Sequence, residues 1–419
     1  MKKFATYIAS FKGRLKETGA MLIVALAAIG CAKVETEVED VLKEDEPIDF
    51  SWYATRNTAT KADPTYFVGD VSTTGQQRHL NSGTSMGVFG YFHPQTSGGV
   101  AGTWNTSAGA YNAPNLFYNE PVSISESAGT YSYDYEHSRF WPRNDKDKIS
   151  FIAYYPWNQL NTTGSATEDT IVEPFLDSRS ERQGMVGFYY VVPEDSGDQV
   201  DFCVSDLCLE QSKAVWSANS NAGLTGNTNG KVKFFFHHAL SQVRVKSVNF
   251  DKGGNDDIEV TINYIVFKKV AVFGQCIPEP NFSTTTATGR TTVTPTWPTE
   301  SLVERRPNLT SGVTAKVCYD EDQHSWSVEN FLLMIPHTFF TGATIEVNFD
   351  VTRKKDPVTG EYYSYTRNTL SAPLTTTNVY EWQAGKIYTY NITLDLKQIK
   401  VTAEVVDWLD AGEDVIMDN

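Results

Sequence analysis

The stretch IDFSWYA, residues 48–54, predicts the fold class because its apolar and polar side chains alternate. One face carries Ile48, Phe50, Trp52 and Ala54, and the other carries Asp49, Ser51 and Tyr53. Successive side chains of a β-strand point to opposite faces, so this pattern is typical of a strand with one buried side. We therefore expect a strand that begins directly after Pro47.

The same period of two recurs through the rest of the chain. Examples are MGVFGYF (86–92), DKISFIAYY (147–155), TIEVNFDVTR (344–353) and KIYTYNITLDL (386–396). Clusters of Gly, Asn, Ser, Thr and Pro separate these runs, and no segment sustains a helical i, i+3, i+4, i+7 pattern. The sequence predicts an all-β protein with antiparallel, sandwich-like sheets.

A polar, Gly/Asn-rich stretch, WSANSNAGLTGNTNGK (216–231), is the best candidate for a domain boundary. It divides the chain into an N-terminal domain, residues 47–225, and a C-terminal domain, residues 231–419. The 419 residues suit two domains of ordinary size, and 40% hydrophobic residues suffice for two cores.

The formal charge of −16 excludes some partners. The first 30 residues carry five basic residues and one acid, or +4, so the remainder carries −20. An acidic body repels nucleic acid and anionic lipid headgroups, and we expect no nucleic-acid partner.

The N-terminus resembles a bacterial lipoprotein signal. A basic region precedes the apolar residues 20–30, which are too few for a transmembrane helix of about 20 residues. Small residues then lead to Cys31, where acylation of the thiol would create a membrane-anchored mature end. The alternative is an ordinary secretory signal, residues 1–30, with an incidental cysteine. Residues 31–46 are rich in Glu and Asp and are expected to form a solvated tether.

Other chemical motifs in the sequence are weak. Gly83–Gly87 fits G-x-S-x-G, but a strand follows it where a nucleophile elbow requires a helix. His237 and His238 are adjacent on a predicted strand, so they face opposite sides and cannot easily share a metal. Residues 144–148 and 251–257 lack the ligand order of a calcium loop and are expected to be turns. We expect no enzymatic activity, no metal and no cofactor.

Two sets of residues remain open at this stage. Cys203, Cys208, Cys276 and Cys318 could form disulfides outside the cytoplasm or remain buried thiols. Six tryptophans could line a glycan platform or belong to the core: Trp104, Trp141, Trp157, Trp297, Trp326 and Trp382.

The two ends of the body suggest strand exchange. The first strand is followed by a polar, protease-accessible segment, TRNTATKA (55–62). Near the other end Ile399, Val401, Ala403 and Val405 alternate with polar residues, after a break of phase at residues 397–398. A sandwich that loses its first strand exposes a groove that another chain's strand can fill. The final run is the candidate donor strand.

The sequence resembles the fimbrillin family, the two-domain subunits and accessory proteins of lipoprotein-derived (type V) pili. The matching pieces are the signal ending at Cys31, the strand followed by TRNTATKA, RFWPRNDKDKISFIAYYPW (139–157), residues 232–248, NFLLMIPH (330–337), and WQAGKIYTYNITL (382–394) followed by VVDW (405–408). They span nearly the whole chain in the order of the family.

This resemblance implies two transthyretin-like β-sandwich domains. It also implies export as an outer-membrane surface lipoprotein, cleavage by an arginine-specific protease, and polymerisation into fimbriae with other fimbrillin subunits by strand exchange. By position, Arg56 matches the cleavage site, and residues 48–54 match the strand that cleavage releases. Adhesion to a host or bacterial surface ligand is expected. The alternative is a surface lipoprotein that binds glycan or another extracellular ligand without polymerising.

Overall fold

We describe the protein from a computed structural model. It covers residues 47–52, 83–105, 112–127, 130–162, 170–179, 182–193, 198–212, 231–251, 258–286, 289–303, 313–315, 317–320, 325–328, 331–353, 358–359, 365–395 and 397–408. These residues all belong to one compact unit, Pro47–Asn419.

Strands dominate the described chain, as the period of two predicts, and the all-β prediction is confirmed. The first part contains β1 (Asp49–Trp52), β2 (Ser85–His93), β3 (Phe117–Ser127), β4 (Thr130–Asp134), β5 (Lys148–Tyr155), β6 (Val172–Leu176), β7 (Val186–Val191), β8 (Cys203–Ser205) and β9 (Leu207–Gln211). The next strands are β10 (Lys231–Phe234), β11 (Phe236–His238), β12 (Ser241–Phe250), β13 (Ile258–Lys268), β14 (Phe273–Pro280), β15 (Arg290–Thr291), β16 (Val293–Thr296) and β17 (Val313–Ala315). The last are β18 (Val317–Asp320), β19 (Ser325–Val328), β20 (Leu332–Met334), β21 (His337–Thr338), β22 (Thr344–Arg353), β23 (Tyr365–Pro373), β24 (Glu381–Trp382), β25 (Lys386–Leu394) and β26 (Ile399–Asp407). Three short 3₁₀ helices lie at Phe282–Thr284, Thr299–Ser301 and Leu374–Thr377.

The first sheet system belongs mainly to the N-terminal half. An eight-stranded sheet has the path β11-β8-β5-β2-β3-β4, with β9 paired to β5 and β15 to β9. The short pair β1-β10 shares a hydrophobic cluster with this sheet. The cluster includes Ile48 just before β1, Phe50 of β1, Phe117 of β3 and Phe151 of β5. The two layers therefore enclose one core, as in a β-sandwich.

The second sheet system belongs to the C-terminal half. A six-stranded sheet, β18-β19-β12-β25-β26 with β20 on β12, and the sheet β17-β13-β22-β23 contribute to a second, larger cluster. Aromatic rings meet between the two sheets: the ring centroids of Phe267 and Tyr390 are 5.8 Å apart, as are those of Phe250 and Phe349. The large buried rings hold the layers together.

Several pairings join strands that are remote in the sequence. β10 pairs with β1, β11 with β8, β14 with β7 and β15 with β9, so strands on either side of residues 226–230 share sheets. Any division near that position has to accommodate these pairings, and the two-domain division stays a prediction. Most pairs are antiparallel, as expected, but β1-β10 and β12-β25 are parallel.

Candidate functional site: the first and last strands

The first strand, β1, lies against β10 in a parallel pair. Phe50 is opposite Val232, and Trp52 is opposite Phe234. Just before the strand, the Ile48 N–H donates a 2.8 Å hydrogen bond to the Arg139 carbonyl, and the Ile48 carbonyl accepts a 2.7 Å bond from the Tyr135 hydroxyl. Besides its pairing with β10, the start of the strand is therefore held by hydrogen bonds between the Ile48 backbone and both Tyr135 and Arg139.

Phe50 is the main side chain that β1 inserts into the core. It is 1% exposed, and Ile48 beside it is fully buried. The Phe50 ring centroid lies 5.2 Å from Phe117, 5.5 Å from Tyr135, 5.6 Å from Phe234 and 5.9 Å from Phe151. We call the space that these four rings enclose the Phe50 pocket. Its walls come from β3, β5, β10 and the segment after β4, so loss of β1 would open it to solvent.

The predicted face of the first strand is supported in part by these positions. Ile48 and Phe50 are buried and Asp49 between them is partly exposed, as the alternation predicts. Trp52 is in β1 by its backbone pairing. Ala54, Arg56, Lys61 and Cys31 lie outside the described residues, so cleavage and lipidation stay predictions.

The sequence pattern predicted a strand at residues 230–240, but sequence reasoning missed the pairing of β10 with β1 and the walls of the Phe50 pocket. Residues 232–236, VKFFF, form a mostly apolar run without strict alternation. Val232 and Phe234 are fully buried, and Lys233 between them is almost fully buried. Burial lowers the pKa of Lys233. A continuous apolar run is the signal of a strand buried on both faces, as parallel pairing often requires.

The last strand, β26, forms a hairpin with β25. Residues 399–407 pair in unbroken antiparallel register with residues 386–394. The turn is held by Asp395, whose Oδ1 accepts hydrogen bonds from the N–H groups of Lys397 and Gln398 at 2.6 and 2.7 Å. The predicted break of phase at 397–398 is therefore confirmed as a turn.

The candidate donor residues are unevenly buried. Val401 is 5% exposed, Ile399 and Ala403 are half-buried, and Val405 is 43% exposed. β26 is the last strand in the order of its sheet. It is thus a strand with an outer edge and a partly exposed apolar face.

The G-x-S-x-G match is on a strand, as expected. Ser85 begins β2, and Gly83 before it has a φ of +83°, which favours glycine at this turn. A Cβ on Gly87 would lie 2.0 Å from the ring of Tyr154. Both glycines therefore have structural reasons, and the serine is not in a strand-to-helix elbow.

The expected turn at residues 144–148 is present before β5. The Asp147 N–H donates to the Asn144 carbonyl at 3.0 Å, and Asp147 Oδ1 accepts from the Gln95 N–H at 2.7 Å. The Asp147 carboxylate is thus used in holding a neighbouring loop. Most of the second stretch, 252–257, lies outside the described residues.

The tryptophans do not form one exposed platform among the described side chains. Trp104, Trp141 and Trp382 are at most 6% exposed and belong to the cores. Trp297 is half-buried and donates its indole N–H to the Ala239 carbonyl at 2.9 Å. Trp157 is 38% exposed, and the side chain of Trp326 is outside the description. Of the four cysteines left open, Cys203, Cys208 and Cys276 are buried free thiols, and Cys318 is exposed.

The adjacent histidines face different partners, as the strand geometry predicts. His237 Nε2 lies 2.5 Å from Asp206 Oδ1, and Asp206 Oδ2 accepts from Arg290 Nε at 2.6 Å. Burial alone would raise the pKa of the fully buried Asp206, but the hydrogen bond and charge of His237, together with Arg290, lower it overall. This buried cluster joins β11 and β15 to the turn between β8 and β9.

His238 belongs to a second polar cluster with Asp201 and Cys203. No helix in the described part of the chain is both long and apolar enough to pass through a membrane.

Comparison with known proteins gives one match over most of the chain. The family model described as fimbrillin-like matches residues 71–408. Among curated proteins, none is similar enough to match.

Solved structures from Bacteroides and Porphyromonas species also match this chain. A fimbrial protein from Bacteroides vulgatus is 20% identical, with a TM-score of 0.46 over 78% of this chain and 93% of its own. A candidate cell adhesion protein from Bacteroides ovatus is 14% identical, with a TM-score of 0.42 over 87% and 99%. A solved structure of the tip fimbrial protein Mfa3 from Porphyromonas gingivalis, truncated at the C-terminus, also matches.

 The Mfa3 structure is 10% identical to this chain, with a TM-score of 0.30 over 78% of this chain and 95% of its own. All three TM-scores lie below 0.5, so the family assignment rests on the sequence match alone.

Proposed function

This chain belongs to the fimbrillin-like family, and we propose that it is a structural subunit of a cell-surface fimbrium that contributes to adhesion. In this proposal the chain is exported as a lipoprotein acylated at Cys31 and reaches the outer membrane surface. An arginine-specific protease then cuts at Arg56, and subunits join by exchange of β-strands. The role is structural rather than catalytic.

The observation that carries the proposal is the Phe50 pocket. The buried side chains of Ile48 and Phe50 at the start of the body are followed, four residues after the end of β1, by a candidate cleavage site. Loss of that strand would expose both an apolar pocket and the backbone edge of β10, and such an edge is a template for another chain's strand. Backbone hydrogen bonds would then give affinity, and side chains in the pocket would fix the register.

The proposed donor is β26, through Ile399, Val401, Ala403 and Val405. Its support is the alternating apolar face and the position of the strand at the end of its sheet. In the single chain β26 is paired with β25 along its whole length. Donation therefore requires the hairpin to open, and a covalent lock across it should stop assembly.

The first experiment cuts the full chain with an arginine-specific protease. We expect N-terminal sequencing to find a new end at Asn57, followed by SDS-resistant ladders on gels. Arg56→Ala should abolish the cut and the ladders, whereas the matched variant Lys61→Ala should retain both. Trimmed protein that stays strictly monomeric would contradict the proposal.

The second experiment locks the donor strand. Thr393 and Lys400 are exposed register partners across the β25-β26 hairpin. The double variant Thr393→Cys with Lys400→Cys, in a Cys318→Ser background, should polymerise after trimming when reduced and remain monomeric when oxidised. Equal polymerisation in both redox states would exclude β26 as the donor while leaving the cleavage result intact.

A further inference from the structure

Three side chains with metal-ligating atoms meet where β8 pairs with β11. Cys203 is directly opposite His238 in this antiparallel pair. Asp201 precedes Cys203 by two residues, so an extended backbone places the two side chains on the same side. The pairing thus brings the carboxylate and the thiol together with an imidazole that lies 35 or more positions later in the chain.

The distances between these atoms suit one small cation. Cys203 Sγ lies 3.6 Å from His238 Nδ1 and 3.7 Å from Asp201 Oδ1, and His238 Nδ1 lies 3.0 Å from Asp201 Oδ1. Zinc bonds are about 2.3 Å to sulfur and about 2.0–2.2 Å to nitrogen and oxygen, so ligands at tetrahedral angles are separated by roughly 3.3–3.6 Å. The two separations from sulfur are close to these edges. The Nδ1–carboxylate separations, 3.0 Å to Oδ1 and 2.8 Å to Oδ2, are those of a hydrogen bond, which a zinc ion between the two groups would replace.

The arrangement does not suit a catalytic cysteine. In a nucleophilic triad the cysteine and the acid contact different nitrogens of the histidine, so that one orients the ring and the other loses its proton. Here Sγ and the carboxylate both approach Nδ1. Cys203 is also fully buried, which removes access for a substrate.

We propose that Asp201, Cys203 and His238 bind one zinc ion through a carboxylate oxygen, the thiolate and Nδ1. The thiol releases its proton to solvent as the zinc–sulfur bond forms, and the imidazole binds zinc as the neutral tautomer that carries its proton on Nε2. The thiolate and imidazole select zinc over the hard cations calcium and magnesium, which prefer oxygen. Three protein ligands leave the fourth position of a tetrahedral ion to water.

Trp408 supports the orientation of the imidazole. Its ring stacks on His238 with a centroid separation of 3.7 Å and an interplanar angle of 3°. Trp408 follows β26 directly, and its backbone N–H donates a hydrogen bond to the Gly385 carbonyl at 3.0 Å. The zinc ion would therefore link β8 and β11 beside the end of the last strand. Asp201, whose side chain is 20% exposed, gives the site its contact with solvent.

The test uses the full chain with Cys31→Ser and Cys318→Ser, which removes the lipidation thiol and the exposed thiol. Zinc affinity is measured by titration against a chromophoric chelator, and cobalt(II) is used to detect the charge-transfer absorption of a metal–thiolate bond. The ligand variants are Cys203→Ser and His238→Gln. The control is Cys208→Ser, because Cys208 is also a buried thiol but donates to the Lys233 carbonyl at 3.2 Å.

We expect the background protein and the Cys208→Ser variant to bind one zinc ion and show the cobalt–thiolate band. Each ligand variant should bind at least about 100-fold more weakly, since even second-shell changes cost about 10–100-fold. Zinc should also raise the melting temperature of the background protein and of Cys208→Ser, but not of the ligand variants. A background protein without the cobalt–thiolate band, or one that binds zinc no more tightly than Cys203→Ser, would overturn the proposal.

Discussion

The substitution Phe50→Ala tests most directly whether the first strand closes the N-terminal core. Phe50 is 1% exposed and its ring meets four aromatic rings at centroid distances of 5.2–5.9 Å. Alanine keeps the backbone pairing with β10 and removes the side chain from the Phe50 pocket. The change therefore separates the side chain's contribution from that of the strand.

The expected cost is large because the pocket has walls on several strands. Phe→Ala substitutions in cores cost about 3–5 kcal/mol in the free energy of unfolding, through lost transfer energy and the cavity left behind. Rings from β3, β5 and β10 are tied into sheets and cannot collapse freely into the space. A loss of about 4 kcal/mol lowers the folding equilibrium constant by a factor of roughly 10³.

Urea denaturation of the uncut chain measures this cost. With a slope of about 3 kcal/mol per molar, the midpoint should fall by about 1–2 M at unchanged slope. The matched control is Tyr380→Ala, since Tyr380 is 60% exposed. Surface substitutions of this kind change the free energy of unfolding by about 0.5 kcal/mol or less.

Cleavage at Arg56 adds a second comparison. From Asn57 onward the wild type and Phe50→Ala have the same sequence, so their denaturation curves should coincide once the strand has left. A difference that persists after cleavage would show that the cut strand stays bound. A loss below about 1 kcal/mol in the uncut chain would refute the reasoning that Phe50 fills the core.

Two further predictions concern other parts of the chain. Cys31→Ala should move the protein from the membrane fraction to the soluble fraction of cells, because the acyl chains supply the anchor; a wild type found wholly in the soluble fraction would contradict this. Asp206→Asn should lower the free energy of unfolding by about 3 kcal/mol at pH 7, because it leaves the partly buried charge of Arg290 without its carboxylate. The pKa of Asp206 is lower in the folded chain than the value of about 3.9 expected when unfolded, so its contribution is complete above about pH 4 and is lost as pH falls through the folded value. Urea midpoints between pH 3 and pH 7 should thus depend on pH less steeply in Asp206→Asn than in wild type, and parallel curves would exclude the assignment.

Much of the secondary structure could be predicted from local pattern. Alternation placed strands at residues 86–92, 344–353 and 386–396, and the structure has β2, β22 and β25 there, with β25 ending at Leu394. The turn at 397–398 could be predicted from the break of phase. These features depend on neighbours within a few residues, where side-chain direction is fixed by the backbone.

The candidate site could be predicted only in part. The apolar face of the first strand was visible because Ile48 and Phe50 alternate with a polar residue. The parallel pairing of β1 with β10 was not visible, because VKFFF carries no information about which strand it pairs with. The cluster of Asp201, Cys203 and His238 was hidden for the same reason, since its spacing in sequence matches no metal motif.

The sequence by itself determined that this protein is all-β and where many of its strands lie. Those properties follow from periodicity and composition, which act locally. Only the tertiary structure decided which strands became neighbours: β1 beside β10, and β8 beside β11. The physical reason is that a β-strand satisfies its backbone hydrogen bonds with a partner that can be anywhere in the chain. The choice among partners depends on how the side chains of all the layers pack together.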